Sequence, residues 1–362
     1  MSHFGNRPVV IAAGGTGGHV VPGLAIADQL SRHDVPVIWF GTRTGLEATM
    51  VVERGIDMRW IDVAGLRGKT LLETITGPVR LVKSIVQSYC QLRKLAPRAV
   101  LGMGGFVSGP VALAALLLRK PLVLHEQNAV AGMTNRWLSR FSTRVFSALP
   151  DVFPASRSAM VVGNPVIAEM EARAHQQRTV STDGSQPLRI LVVGGSRGAR
   201  KLNEVVPEAV ALMTSSVSVL HQAGKGNAQA VLQRYAQIAN DDIEVKDFID
   251  DMTTAYDKAD IVICRSGAMT VTEISALGVP AIFIPFPFAV DDHQTKNAQF
   301  LCDTGAAQLI PESSLSAQVL AQALDALCAD RQKLVRMSIA AHSCFVPNAA
   351  ATVACALLEV SR

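Results

Sequence analysis

The stretch Val9-Val10-Ile11-Ala12-Ala13-Gly14-Gly15-Thr16-Gly17-Gly18-His19 decides the fold, because an apolar run breaks into glycines and then into a helical pattern. The same order returns at Ile190-Leu191-Val192-Val193-Gly194-Gly195-Ser196-Arg197-Gly198. A strand-to-helix turn of this kind points backbone N–H groups and the positive end of a helix dipole at whatever lies above it, most often a phosphate. Two such turns imply two nucleotide-type α/β units.

Outward from these turns, the repeat is one of architecture more than of letters. Val100-Leu101-Gly102-Met103-Gly104-Gly105 is echoed by Ile261-Val262-Ile263-Cys264-Arg265-Ser266-Gly267, and Pro121-Leu122-Val123-Leu124-His125 by Pro280-Ala281-Ile282-Phe283-Ile284. Short apolar, β-branched runs alternating with helical stretches predict an α/β chain of two Rossmann-like, doubly wound domains facing a cleft, with ligands over the carboxyl ends of the strands. The turn signal Gly163-Asn164-Pro165 sets the expected domains at residues 1–164 and 165–346, with a terminal helix over about 347–362 packing back on the first.

A chain of 362 residues that is 49% hydrophobic can bury two cores. Its six cysteines stand without any C-x-x-C pair, so neither a disulfide framework nor a zinc knuckle is expected, and a reducing compartment is the default. No apolar leader precedes the first strand, and Val111–Leu118 and Gly278–Val290 fall short of the roughly 18 apolar residues of a membrane span. The net charge of +4 hides an asymmetry: residues 1–164 carry 18 Lys and Arg against 9 Asp and Glu, and residues 165–362 carry 16 against 21. A half at +9 beside a half at −5 suggests that the basic one faces a membrane surface or a phosphate-bearing substrate. Nucleic acid is not expected, since the basic residues are not interleaved with stacking aromatics.

The first turn is not a dinucleotide fingerprint. Val20 stands where G-x-G-x-x-G needs glycine, and the next strand ends in Gly41-Thr42 where a ribose-binding acid would stand. His19 falls in the first helical turn, where the dipole keeps the imidazole neutral, as a general base requires; a histidine that only bonds the turn remains the other reading. Gly102 to Pro110 reads as a second glycine-dense loop able to bind an anion, with a tight turn needing positive φ as the other reading. His125-Glu126-Gln127-Asn128 puts four polar side chains at a strand end, where sites occur. Thr270-Val271-Thr272-Glu273 has capping-box spacing, and Glu273 either bonds the N-cap amide or accepts from ribose hydroxyls. Asp291-Asp292-His293 invites a metal reading, yet a single such cluster is more often a solvated loop with caps and no metal site is assigned; without D-x-D spacing in the chain a metal-diphosphate clamp is not expected. Between Leu66 and Arg98 stand seven Lys and Arg and one acid, with Val82, Ile85, Val86 and Tyr89 at helical spacing. That stripe is expected to face the core, while the charge beside Leu71, Leu72 and Ile75 leaves a membrane-surface role open.

Six ordered motifs then carry a resemblance: Gly14–His19, Gly65-Leu66-Arg67-Gly68-Lys69, Gly102–Pro110, His125–Asn128, Val193-Gly194-Gly195-Ser196 and Cys264-Arg265-Ser266-Gly267-Ala268. From about residue 9 to its end the chain closely resembles the MurG family, GT-B glycosyltransferases that convert lipid I to lipid II in peptidoglycan synthesis. The resemblance implies an inverting transfer of GlcNAc from UDP-GlcNAc to the C4 hydroxyl of a lipid-linked muramoyl-pentapeptide. It implies donor contacts from Thr16, Gly17, Gly18, Asn128, Ser196, Ile249, Ala268, Met269, Thr270, Val271, Thr272, Glu273 and Gln294. Glu273 would hold the ribose and Ser196 would face the diphosphate, while Thr16 to His19 would meet the transferred sugar and the acceptor's diphosphate. His19 is the first candidate for the base or for acceptor positioning, and Glu126 the second.

No tightly bound cofactor is implied, and the need for a free divalent cation stays open. Expected partners are UDP-GlcNAc, the lipid-linked acceptor, an anionic membrane surface, and cell-wall synthesis or division proteins. The expected location is peripheral, on the cytoplasmic face of the bacterial inner membrane. Two positions depart from the pattern. Ile167 follows Gly-Asn-Pro-Val where an arginine usually contacts the donor, for which Arg197 is a candidate replacement, and Phe288 stands where many relatives have histidine. The rivals are a UDP-GlcNAc epimerase of similar fold and a non-catalytic nucleotide-sugar-binding module.

Overall fold

The computed structural model describes residues 7–63, 71–176, 178–195, 198–236, 238 and 242–361, without the side chains of residues 71–76. Residues 65–69, Ser196, Arg197 and the side chains of Leu71, Leu72 and Ile75 therefore lie outside the described residues. Two compact units are present: residues 1–168 with 346–362, and residues 169–345.

The first unit is built on a parallel sheet of seven strands: β1 (Val9–Ala12), β2 (Val37–Gly41), β3 (Asp57–Trp60), β4 (Ala99–Gly102), β5 (Leu122–Glu126), β6 (Arg144–Ser147) and β7 (Met160–Val161). Their order is β3-β2-β1-β4-β5-β6-β7. β1, β4 and β5 are buried along their whole length, as strands covered by helices on both faces must be. Its helices are α1 (Gly17–Arg32), α2 (Glu47–Glu53), α3 (Leu71–Leu95), α4 (Gly105–Leu117) and α5 (Met133–Leu138). A sixth, α6 (Ala168–Ala174), begins where this unit ends.

The second unit repeats the plan with β8 (Leu188–Val193), β9 (Val217–Gln222), β10 (Ile243–Lys246), β11 (Ile261–Cys264), β12 (Ala281–Phe283) and β13 (Ala307–Leu309). Their order is β10-β9-β8-β11-β12-β13. Around it run α7 (Arg200–Leu212), α8 (Ala228–Tyr235), α9 (Met252–Lys258), α10 (Ala268–Leu277) and α11 (His293–Cys302). They are followed by α12 (Ala317–Ala329) and α13 (Arg331–Ser343). Two parallel sheets with alternating helices make this a GT-B fold. The chain then returns to the first unit as α14 (Ala349–Glu359), which packs on α1 and buries Val353, Ala354 and Leu357 in its core. Arg98 Nε to Ser361 Oγ at 3.2 Å and the Arg144–Glu359 ion pair at 2.9 Å hold its end.

In both sheets the order reverses beside the first strand, between β1 and β4 and between β8 and β11. Loops leaving the strands on either side of such a reversal diverge and open a crevice. Each glycine turn stands at one of these two points.

Two expectations fail here. Of the stripe of Val82, Ile85, Val86 and Tyr89, Tyr89 packs partly buried against the core, but Val82 and Val86 are 59% and 55% exposed and Ile85 is only partly buried. The buried face of α3 is Ser84, Ser88 and Leu92, and it packs on α4. Both serine hydroxyls bond their own helix backbone, at Leu81 O and Ser84 O, so polar residues become a small, satisfied face on which α4 can sit closely. Gly102 to Pro110 is also not a loop, since α4 starts at Gly105. Its glycines have separate causes: a Cβ at Gly102 would strike Leu124 at 2.8 Å, while Gly104 and Gly105 have φ of +91° and +73°.

Candidate active site

At the reversal of the first sheet, β1 runs into Gly14 and Gly15, and Gly15 takes φ +98° before α1 begins. Thr16 is the N-cap residue, and its hydroxyl lies 3.3 Å from His19 Nδ1. The half-buried His19 ring reaches the loop that follows β4, because the Cβ position of Gly104 lies 3.2 Å from its Nε2 and 3.3 Å from Asn135 Nδ2. Only a glycine with positive φ leaves room for both side chains.

β5 delivers the next group. His125 is buried, and loss of hydration pushes its imidazole down to about 4, so it is neutral at physiological pH. Its Nε2 donates to Gly163 O at 2.9 Å and its Nδ1 accepts from Gln127 Nε2 at 3.1 Å. Glu126, also buried, accepts at Oε1 from the backbone and side-chain nitrogens of Asn128, at 3.1 and 3.2 Å. Its Oε2 accepts from Gly132 N at 3.0 Å and Asn135 Nδ2 at 2.9 Å. A carboxylate has about four acceptor positions. All of these are occupied, so Glu126 organises the loop from Asn128 to Asn135 and has no lone pair left for a substrate proton.

Asn135 and Glu47 belong to this region and were not singled out from the sequence. Asn135 stands on a short helix without an obvious motif. Glu47 opens α2, 32 residues from the turn that it bonds, and its buried carboxylate accepts from Gly15 N at 3.1 Å.

At the reversal of the second sheet, β8 leads into Gly194 and Gly195, the latter with φ +77°. β11 leads into α10, whose N-cap is Gly267. The N–H groups of its first turn have no partners inside the helix and no side chain caps them. Ala268, Met269 and Val271 are buried, so this end offers backbone donors and the dipole. Thr270 is half-buried, and Thr272 Oγ1 bonds Ala268 O at 2.9 Å. Ile249, buried beyond β10, donates its N–H to Gln222 Oε1 at 3.3 Å. Gln294, in the first turn of α11, is tied to both flanking loops: its carbonyl accepts from Ser266 Oγ at 2.8 Å and its Oε1 from Phe286 N at 2.9 Å.

The capping-box reading of Thr270 to Glu273 is corrected. With Gly267 as the cap, Thr270 is the third helical residue and Glu273 lies in the second turn, too far along to bond the cap amide. Its Oε2 accepts from the Tyr256 hydroxyl at 3.0 Å instead. The residue's surface is only partly covered, yet its carboxyl lies among buried side chains, and that burial pushes it up to about 7 against the pull of the Tyr256 hydrogen bond. Tyr256 is a further residue that spacing did not reveal.

No group of three or more His, Cys, Asp or Glu able to hold a metal occurs among the described residues. Asp292 Oδ1 accepts from Thr295 Oγ1 at 2.6 Å, and His293 Nδ1 donates to Val290 O at 2.7 Å.

Residues 9–147 match the glycosyltransferase family 28 N-terminal domain and residues 189–353 the glycosyltransferase family 28 C-terminal domain. A relative from Aeromonas hydrophila is 47% identical over 351 residues, 96% of each chain. It is named UDP-N-acetylglucosamine--N-acetylmuramyl-(pentapeptide) pyrophosphoryl-undecaprenol N-acetylglucosamine transferase. The crystal structure of Acinetobacter baumannii MurG superposes with a TM-score of 0.83 at 39% identity, covering 98% of this chain and 99% of that one. A Listeria monocytogenes protein named as a putative UDP-N-acetylglucosamine 2-epimerase has a TM-score of 0.68 at 16% identity over 98% of this chain and 96% of that one, a likeness of fold alone.

Proposed function

Because this chain belongs to glycosyltransferase family 28, we propose that it moves GlcNAc from UDP-GlcNAc to the C4 hydroxyl of lipid I, with inversion, to form lipid II. One observation carries the proposal: likeness to a relative named for this transfer runs at 47% identity through 96% of both chains. The epimerase shares only the fold.

The second unit takes the donor. Glu273 accepts from the ribose hydroxyls through the oxygen that Tyr256 leaves open, and Ile249 and Gln294 line the nucleoside. Ala268 to Val271 present the N–H groups of α10 to the diphosphate, with Thr272 on the same turn and Ser196 above the glycine turn. As the sugar passes through an oxocarbenium-like state, the leaving UDP gains charge, and helix N-termini and backbone donors stabilise it there. The first unit takes the acceptor. His19, held by Thr16 beside Gly104, receives the proton of the C4 hydroxyl, and Gly17, Gly18 and Asn128 meet the sugar.

The acceptor's lipid calls for a membrane surface, and no helix among the described residues is long and apolar enough to cross one. We infer peripheral docking on the anionic inner face through α3. Its Val79, Val82 and Val86 form an exposed stripe, 55 to 70% accessible, within the most basic stretch of the chain.

The test is UDP release by the purified protein with and without lipid I or a soluble analogue. Release only with acceptor is expected. Consumption of UDP-GlcNAc without acceptor would make it an epimerase, and binding without turnover under either condition a non-catalytic module.

A further inference from the structure

The first glycine turn already contains an anion. Glu47 is fully buried, with Oε2 accepting from Gly15 N at 3.1 Å. Its Oε1 accepts from Thr42 N at 2.9 Å and Thr42 Oγ1 at 2.8 Å. We propose that Glu47 is a positioning residue that occupies the Gly15 amide of the first glycine turn, withholds that amide from phosphate, and fixes Gly15 so that Thr16 and His19 face the acceptor.

Space and chemistry both support this. A Cβ at Gly14 would come within 2.6 Å of Glu47 Oε1, one at Gly41 within 2.6 Å of Glu47 Cγ, and one at Gly45 closer still to the carboxylate. Three glycines thus exist where this side chain passes, and its carboxylate takes the Gly15 N–H that a phosphate would otherwise use. In dinucleotide-binding halves, an acid at the end of the second strand accepts from ribose hydroxyls. Here β2 ends in Gly41-Thr42, and the acid five residues beyond Thr42 turns inward to take the Gly15 amide. The second unit differs: the Cβ position of Gly195 meets nothing within 4 Å among the described residues, whereas that of Gly15 lies 3.1 Å from Phe106. One architecture therefore yields a first turn whose Gly15 amide is taken by the protein's own carboxylate, beside Gly17, whose Cβ position meets nothing within 4 Å among the described residues.

The catalytic part of this rests on the transferase reading, so the test pairs turnover with a signal independent of it. Wild-type protein labelled with 15N is titrated with inorganic pyrophosphate, and the Gly15 amide resonance is expected to stay in place. In Glu47→Gln the side-chain NH2 must confront either Gly15 N–H or Thr42, both donors, and the Gly15 amide should move upfield. Acceptor-dependent UDP release should lose kcat on the order of 100-fold through loop misplacement, while calorimetric affinity for UDP is unchanged.

A Gly15 resonance that follows pyrophosphate in the wild type overturns the proposal even if the variant fails to fold. So does an unchanged kcat in Glu47→Gln, or an acceptor KM below that of the wild type, which is what a freed phosphate cradle would give. If the wild type releases no UDP with acceptor, the transferase reading fails instead, and the Gly15 resonance still judges Glu47.

Discussion

Glu273 changes charge within the physiological range, because burial holds its carboxyl near 7. Only the ionised form accepts from two ribose hydroxyls, so UDP affinity should fall by up to about tenfold per pH unit as pH drops below that value. Calorimetry between pH 6 and 8 checks this, and a flat profile would exclude Glu273 from the site. Tyr256→Phe removes the hydrogen bond that favours the anion and should move the profile to higher pH. Linkage gives the sign for stability. The native state keeps a proton that the unfolded chain has lost between the ordinary carboxylate range and about 7, so stability falls as pH rises through that window. The Tm of Glu273→Gln relative to wild type should therefore rise from pH 4 to pH 8. For His19→Ala, a loss of roughly 10²- to 10⁴-fold in kcat with little change in donor KM is expected, and a loss of only a few-fold would argue against its role as base. Gly104→Ala should also lower kcat, because φ +91° strains any L-residue and the new methyl pushes on the His19 ring. His19, Glu126 and Glu273 were legible in the sequence as chemistry at strand ends. Which carboxylate is saturated, which is buried and which fills a turn was not, because the partners are 9 residues away for Asn135 and Glu126, 17 for Tyr256 and Glu273, and 32 for Gly15 and Glu47.

Among the elements, α3 carries the sharpest contrast between pattern and packing. Its valines repeat at helical spacing and its serines do so equally, and the serines are the ones buried. Helical periodicity gives the angle between two faces but does not say which face meets a neighbour, and α4 requires the shallow one. Ser84→Leu should therefore destabilise by about 1–3 kcal/mol through overpacking, measured by denaturant unfolding. Changing Val79, Val82 and Val86 together to serine should leave the fold and turnover of a soluble acceptor unchanged and reduce co-sedimentation with anionic vesicles. Vesicle binding by the wild type that ignores both salt and anionic lipid content would contradict an electrostatic share in docking. The strands were easier to read, since a run of four to six buried apolar residues in a parallel sheet needs no alternation and stands out between helical stretches.

Across the whole molecule, the chain's return to its first unit makes a prediction that local sequence does not contain. Removal of residues 346–362 uncovers the α1 face that Val353, Ala354 and Leu357 bury, so the first unit should unfold at lower temperature while the second keeps its transition. UDP at a hundred times its Kd should raise the stability of the second unit by about 2.7 kcal/mol, with hydrogen-exchange protection at 194–195 and 267–273 and none at 14–19. Protection spreading over the first turn instead would count against the division of labour between the turns. By itself the sequence determined two parallel α/β units, a glycine turn opening each, and a family resemblance along the chain, because these rest on runs of neighbouring residues and on the order of motifs. Only the tertiary structure decided that a buried carboxylate takes the Gly15 amide of the first turn, that α3 turns its serines inward, and that Glu126 is occupied while Glu273 keeps an oxygen open. Burial and hydrogen-bond partners set the charge and availability of each group, and folding supplies those partners from distant parts of the chain.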